Sequence, residues 1–263
     1  MFRAAQIAAT GMSAQQTNVE VISNNVANLN TTGYKANIAD FQDLLYQNLN
    51  RGAGVQSTVG GNIPPYNSQI GLGVKTVGVL RNLEQGPLLQ TRNTFDVAIQ
   101  GRGHFQVTDA EGNIFFTRSG RLSINNQGIL VNAQGFVVEP AITIPDNATE
   151  ITINPQGEVF ALIPGNLQPQ NLGRLALVSF MNDGGLKSVG NNLLQESFAS
   201  GTPLLGNPGL NGLGTLEQGF VENSNVDAVR EITTLIQAQR AYELNSRIIS
   251  ATDEMLSNIN NIR

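Results

Sequence analysis

From Val221 to Arg263 the chain contains neither Gly nor Pro, and its first Pro is Pro64. Gly and Pro are the strongest interruptions of a helix interior, so both ends are free to run as long helices. Between them the pattern is that of β-structure. Two terminal helices of this length have no core of their own in a β middle. They must bury their apolar stripes on each other or on neighbouring copies, so the chain points to assembly before it points to chemistry.

The N-terminal helix is expected over about Phe2 to Leu29. Ala4, Ile7, Ala8, Met12, Ala14, Val19, Val21, Ile22, Val26 and Leu29 form one broad stripe, with Gln6, Ser13, Thr17, Glu20 and Asn24 opposite. Asn30-Thr31-Thr32-Gly33 supplies the stop, Gly33 suiting the left-handed position past a helix end. The C-terminal helix is expected to start near Ser224, which with Asp227 has capping-box spacing. About 38 residues at 1.5 Å each make a rod near 57 Å long, too long for one small domain to cover. Ile232, Leu235 and Ile236 occupy one side of it, whereas Leu244, Ile248, Met255, Ile259 and Ile262 lie nearly on the other. A two-stranded coiled coil drifts by only about 20° per heptad, so this helix should meet different neighbours at its two ends.

The stretch from Tyr46 to Gly73 is rich in Gly and Asn, carries Pro64-Pro65 and almost no charge, and reads as an extended segment. From Val74 to about Pro203 short alternating runs are separated by turn chemistry. Asp109-Ala110-Glu111-Gly112-Asn113, Asn125-Asn126-Gln127-Gly128 and Asn154-Pro155-Gln156-Gly157 each stand between two such runs, predicting three hairpins. Phe95, Ile99, Phe105, Phe115 and Phe116 read as β-core. The fold class is α+β: a discontinuous helical domain of paired terminal helices, an all-β middle domain, and the extended segment between.

Composition excludes several functions. Charged residues make up only 13%, and the net charge is −5 with no Lys/Arg cluster, which argues against nucleic acid as a partner. Amides fill the gap left by ions, and burying an amide against another polar surface costs far less than burying a charge. With no Cys there is no disulfide framework or thiolate. No window approaches a membrane span of roughly 20 apolar residues, so membrane insertion is not expected. The first residues lack the apolar run and cleavage site of a secretory signal, which implies export, if any, without a cleaved leader.

No candidate for catalysis survives comparison with a plainer role. Gly101-Arg102-Gly103 lacks the third glycine, following helix and acidic residue of a dinucleotide loop, and reads as a turn between strands. His104 is the only histidine, so no His-based metal site or His-paired nucleophile can be built, and it reads as a strand residue. Asp40 with Asp43, or Glu217 with Glu222, lack the apolar pocket that would separate two carboxyl pKa values, and read as solvated or interface carboxylates. No enzyme, metal or cofactor is expected. A secreted binding module would not need both terminal helices, and a glycan hydrolase needs a carboxylate pair the chain does not offer.

Asn24-Asn25-Val26-Ala27-Asn28-Leu29-Asn30-Thr31-Thr32-Gly33-Tyr34-Lys35 resembles the N-terminal signature of bacterial flagellar rod and hook proteins. Leu216 to Val226 and Ile236 to Ser246 resemble the C-terminal one, and Phe95 to Phe105 with Phe116-Thr117-Arg118-Ser119-Gly120 look like the middle. The resemblance covers nearly the whole chain. It implies a structural subunit that polymerises into a helical tube around an export channel. Length and the Tyr46–Gly73 segment fit the distal rod, a rigid drive shaft; a proximal rod subunit of similar length or a hook-type axial protein are the alternatives. It also implies a basal-body, periplasm-spanning location, type III export, and as partners further copies, proximal rod proteins, hook protein and the peptidoglycan-layer and outer-membrane rings.

The expected organisation is 1–33 with 224–263 as the inner-tube helices, 34–73 with 204–223 as connector, and 74–203 as outer β-domain. Assembly contacts are expected from Ile7, Met12, Val19, Ile22, Asn24, Asn25, Asn28, Gly33 and Tyr34 at one end. At the other they are expected from Gln237, Gln239, Arg240, Tyr242, Asn245, Ile248, Met255 and Ile259. The amide-rich band would fix register between copies. Alone, the terminal helices are expected to be disordered.

Overall fold

The computed structural model describes residues 2–48, 69–165 and 168–261. The core of the extended Gly/Asn-rich segment and Ile262 therefore lie outside the described residues. Two long helices, α1 (Phe2–Ala27) and α2 (Ala228–Asn261), bracket a set of antiparallel strands. The chain divides into two compact units: 1–26 with 37–80 and 228–263, and 27–36 with 81–227.

In the first unit α1 and α2 pair. Strand Asn37–Asp43 pairs with Val74–Arg81, and Tyr46–Asn48 pairs antiparallel with Gln69–Gly71. These last two strands are the described ends of the Gly/Asn-rich segment, held side by side. Both helix starts and stops differ from expectation in detail. α1 ends at Ala27, so Gly33 lies well beyond its last turn and is no helix cap. α2 begins at Ala228, which puts Asp227 immediately before it at the positive end of the helix. Ser224 instead accepts a bond from the Val226 N–H in a local turn, so Ser224–Asp227 is not a capping box.

The second unit holds the core. A seven-stranded antiparallel sheet runs Lys187–Gly190, Leu193–Gln195, Ile114–Thr117, Phe105–Thr108, Val137–Glu139, Leu130–Asn132, Leu122–Ile124. A three-stranded sheet comprises Glu150–Ile153, Glu158–Leu162 and Gln170–Arg174. All three hairpins expected from turn chemistry form, with Phe105 opposite Thr117, Leu130 opposite Ile124, and Thr152 opposite Phe160. Residues 204–223, expected as connector, contribute three strands. Leu204–Gly206 pairs with Leu177–Ser179, Thr215–Gln218 with Val97–Gln100, and Phe220–Glu222 with Leu88–Gln90. Val97, Ile99, Phe105, Val107, Leu130, Val159, Leu177 and Leu216 meet in one buried cluster, and Phe116 sits in a second with Val178, Phe180 and Leu186. Phe95 and Phe115 pack on the edge of the first.

Candidate assembly interface

The first unit has little apolar interior. Among its described residues the buried hydrophobic side chains are Ala8, Ala14, Ile22 and Ala238, three of them alanines. Two contacts fix how its helices pair. Asn25 Nδ2 donates to Glu231 Oε2 at 3.5 Å, and a Cβ added to Gly11 would lie 2.8 Å from Asn245 Nδ2. A step of 14 residues along α1, from Gly11 to Asn25, matches 14 residues back along α2, from Asn245 to Glu231. The helices are therefore antiparallel. The seam is built from small and amide side chains, which let the backbones approach closely while contributing little apolar burial.

Most of the large apolar residues of α2 are exposed, with Leu235, Ile249 and Leu256 half-buried. Val229, Ile232 and Ile236 are exposed in its first half, and Leu244, Ile248, Met255 and Ile259 in its second. At about 100° per residue the two groups centre roughly a third of a turn apart, so no single flat partner covers both. Leu235 alone of the first group turns inward and is half-buried. Residues 37–80 of this unit add Ile38, Leu45, Tyr46, Val77, Val79 and Leu80 to the exposed set. Single exposed apolar residues are ordinary, but a unit that exposes this many and buries mostly alanine lacks a core of its own.

The expected contact residues fall into distinct places. Ile22 and Asn25 are buried within the unit, Ile7, Met12 and Val19 are half-buried, and Asn24 is exposed. Asn25 clasps the start of the next strand, donating to Asn37 O and accepting from Asn37 N, both at 2.8 Å. Tyr242 is partly exposed and Asn245 packs on Gly11, whereas Gln237, Gln239 and Arg240 face outward.

Asn28, Gly33 and Tyr34 belong to the second unit. Asn28 Oδ1 accepts from Thr31 Oγ1 at 3.1 Å, and Tyr34 is half-buried. Gly33 has φ +72°, and its N–H donates to Glu222 O at 2.8 Å. A Cβ there would lie 2.8 Å from Ser119 N, so glycine is required by a positive φ and by close backbone approach together. The same residues surround a buried ion network that sequence reasoning missed. Glu222, expected as a solvated or interface carboxylate, is 1% exposed. Its Oε2 accepts from Arg118 Nε at 2.5 Å, and its Oε1 from Lys35 Nζ at 2.6 Å and Gly86 N at 3.0 Å. Arg118 also donates to the carbonyls of Ile99, Gly101 and Gly103, which gives the glycine turn its structural role.

Burial pushes the Glu222 carboxyl up, but the Arg118 charge and the Lys35 bond and charge outweigh it and hold it below the ordinary value. For Lys35 burial wins: desolvation lowers its ammonium by more than the Glu222 bond and charge raise it, and the Arg118 charge adds a smaller lowering. Nearby Asn225 completes the knot, accepting from Ala36 N at 2.7 Å and donating to Asn82 O and Glu84 O. Lys35, Arg118 and Glu222 each lie in one of the runs that carry the family resemblance. An isolated charge inside such a run, in a chain this poor in charge, was the available signal.

His104 is a packed strand residue that exchanges backbone bonds with Val178. Burial first, then the Arg118 charge, pushes its imidazole down to about 4, with Asp183 opposing. Glu217 pairs opposite Ala98 in a two-stranded ladder. Among the described residues no group of His, Cys, Asp and Glu is arranged to hold a metal ion, and no helix is long and apolar enough to cross a membrane.

Comparison with known proteins bears on the whole chain. A model described as flagella basal body rod protein matches residues 6–35. One described as flagellar hook protein FlgE/F/G D1 domain matches 98–161, and one described as flagellar basal body rod FlgEFG protein C-terminal matches 217–262. The flagellar basal-body rod protein FlgG of Caulobacter vibrioides is 50% identical over 261 residues, covering 99% of both chains. That of Borreliella burgdorferi is 41% identical, covering 100% of this chain and 99% of its own. That of Bacillus subtilis is 36% identical across 100% of both.

Proposed function

This chain belongs to the FlgG family of flagellar basal-body rod proteins, and from that premise we propose how its parts serve the rod. It is a structural, self-assembling rod subunit rather than an enzyme. The terminal helices pack against those of other copies and line the export channel, with Val229–Ile236 meeting one neighbour and Leu244–Ile259 another. Ile7, Met12, Val19, Gln237, Gln239, Arg240, Tyr242, Ile248, Met255 and Ile259 supply contacts between copies. Asn25, Asn28, Gly33, Tyr34 and Asn245 hold the subunit in the shape that presents them. The resulting distal rod spans the periplasm and transmits torque, meeting proximal rod proteins at one end and hook protein at the other, within the surrounding rings.

The observation that carries this reading is the helix pair that buries chiefly alanine while most of the large apolar side chains of α2 stay exposed. Many contacts per subunit would make such a tube stiff. The test is deletion of residues 244–263 from the full chain. Loss of polymerisation with an unchanged unfolding transition of the β-structure is expected; a truncated chain that polymerises as well as the intact one refutes the reading.

A further inference from the structure

We propose that Phe198, with Met181 beside it, is a knob that seats in an apolar cleft on the three-stranded sheet of the next copy. This rests on the rod-subunit reading, which supplies a second copy as the neighbour, and adds a contact made by the second unit alone. Phe198 is 107% exposed and Met181 85%, the two most exposed large apolar side chains among the described residues of this unit. They stand on turns stapled to one another. Asn182 N donates to Ser200 O at 3.3 Å, Asn182 Nδ2 donates to Ala199 O at 3.0 Å, and a Cβ on Gly201 would touch Met181 Cβ at 3.9 Å.

The turn under Phe198 is braced from within. Ser197 Oγ donates to Gly185 O at 2.6 Å, the fully buried Ser200 donates to Ser197 O at 2.8 Å, and Ser197 N donates back to Ser200 Oγ at 3.0 Å. A Cβ on Gly185 would lie 2.6 Å from the Ala199 carbonyl carbon, so the two turns fit without slack. A phenyl ring held out on a rigid base loses little conformational freedom on docking, and a ring of its kind buries 150–250 Å². That is the anatomy of a binding hot spot rather than of a stray surface side chain.

The receptor has the matching chemistry. An open cleft of about 360 Å³ is lined by Phe160, Leu162 and Pro169, with Glu150, Thr152 and Asn154 completing its wall. Pro169 immediately precedes the strand Gln170–Arg174, and Met181 follows Leu177–Ser179, so cleft and knob flank opposite ends of one run of chain. A knob and a socket at separate places on one surface make a head-to-tail contact. Repeated between copies, such a contact builds a ring where the rotation closes and an open helical filament where it does not, and the rod reading calls for the second.

Because the chain has no cysteine, the contact can be read by cross-linking. Full-length Ala199→Cys/Thr152→Cys, which keeps the Phe198 ring beside an exposed thiol, is polymerised, treated with a short bismaleimide and run on a denaturing gel, beside each single variant. A ladder of dimers, trimers and longer products from the double variant only is expected. In parallel, Phe198→Ser should raise the critical concentration for polymerisation about tenfold. Polymers of the double variant with both thiols reactive but only monomers on the gel overturn the proposal. So does Phe198→Ser polymerising at the parental concentration. A parental chain that never polymerises defeats the rod reading itself, an outcome distinguishable from either of these.

Discussion

Replacing Glu222 with Gln keeps the shape of the side chain and removes the anion from a site that holds two cations. Lys35 and Arg118, 11% and 7% exposed as side chains, would then face each other with no carboxylate between them. Breaking one partner out of a buried ion pair costs about 3–5 kcal/mol, because the remaining charge stays desolvated. Two features place the loss at the lower end. Arg118 keeps its three carbonyl acceptors, and Lys35, already lowered by burial, can shed its proton. About 3 kcal/mol corresponds to a fall of roughly 6–12 °C in Tm for a folded body of this size. Urea unfolding of the monomeric full chain at neutral pH, followed by circular dichroism, measures it. The pH dependence adds a sign check. A carboxyl held below its ordinary 4.5 stabilises above that pH, and its contribution is lost as pH falls through the folded value. The gap between Glu222→Gln and the parent should therefore close on acidification below 4.5. Adding Lys35→Met should recover part of the loss, since removing both partners leaves less unpaired charge than removing one. A Glu222→Gln variant within about 1 kcal/mol of the parent at neutral pH refutes the claim that this network holds the segments together.

The single histidine gives a second pH signature. His104 is buried neutral, with its pKa lowered from 6.5 to about 4, so between those values only the unfolded chain takes up the proton and stability falls with falling pH. The loss totals roughly 3 kcal/mol across that window, and His104→Leu should flatten it; an unchanged slope in urea midpoints speaks against burial of the neutral ring. Gly33→Ala meets both a positive φ and the Ser119 backbone, whereas Gly112, at φ +84°, has nothing near its missing Cβ. Gly112→Ala should cost about 1 kcal/mol and Gly33→Ala at least about 2 more, and equal losses in thermal melts would contradict the close approach at Gly33. Ile232→Glu and Ile248→Glu should each raise the critical concentration for polymerisation while moving monomer stability by less than about 0.5 kcal/mol. A large loss of monomer stability would show that these side chains serve the subunit's own fold.

The sequence announced elements more fully than contacts. Both long helices were legible because no Pro interrupts them, and the three hairpins because an Asp or Asn followed three residues later by Gly separates alternating runs at short range. The helix seam was not. An apolar stripe on a wheel is read as the buried face, yet Gly11, Asn25, Asn245 and Ala238 lie in or beside the seam while Ile232, Leu244 and Ile248 stay exposed. A stripe shows that a face will be covered, by the partner helix or by another copy, and periodicity does not say by which. The Lys35–Glu222–Arg118 network escaped for another reason. Its members are 187 and 104 residues apart from Glu222, and no periodicity links positions so distant.

The two units differ in a way that follows from where their apolar side chains go. In the second, Phe105, Val107, Ile99 and Leu216 are buried among themselves, and a buried ion network with a defined set of donors selects one arrangement of three distant segments. Its stability is a property of the single chain. In the first, three alanines and one isoleucine make up the buried hydrophobic set among the described residues, against a row of exposed Ile, Leu, Val and Met. Burial at about 25 cal/mol per Å² rewards that unit chiefly when another copy covers it. Packing of the terminal helices and their covering by another copy thus draw on the same apolar surface.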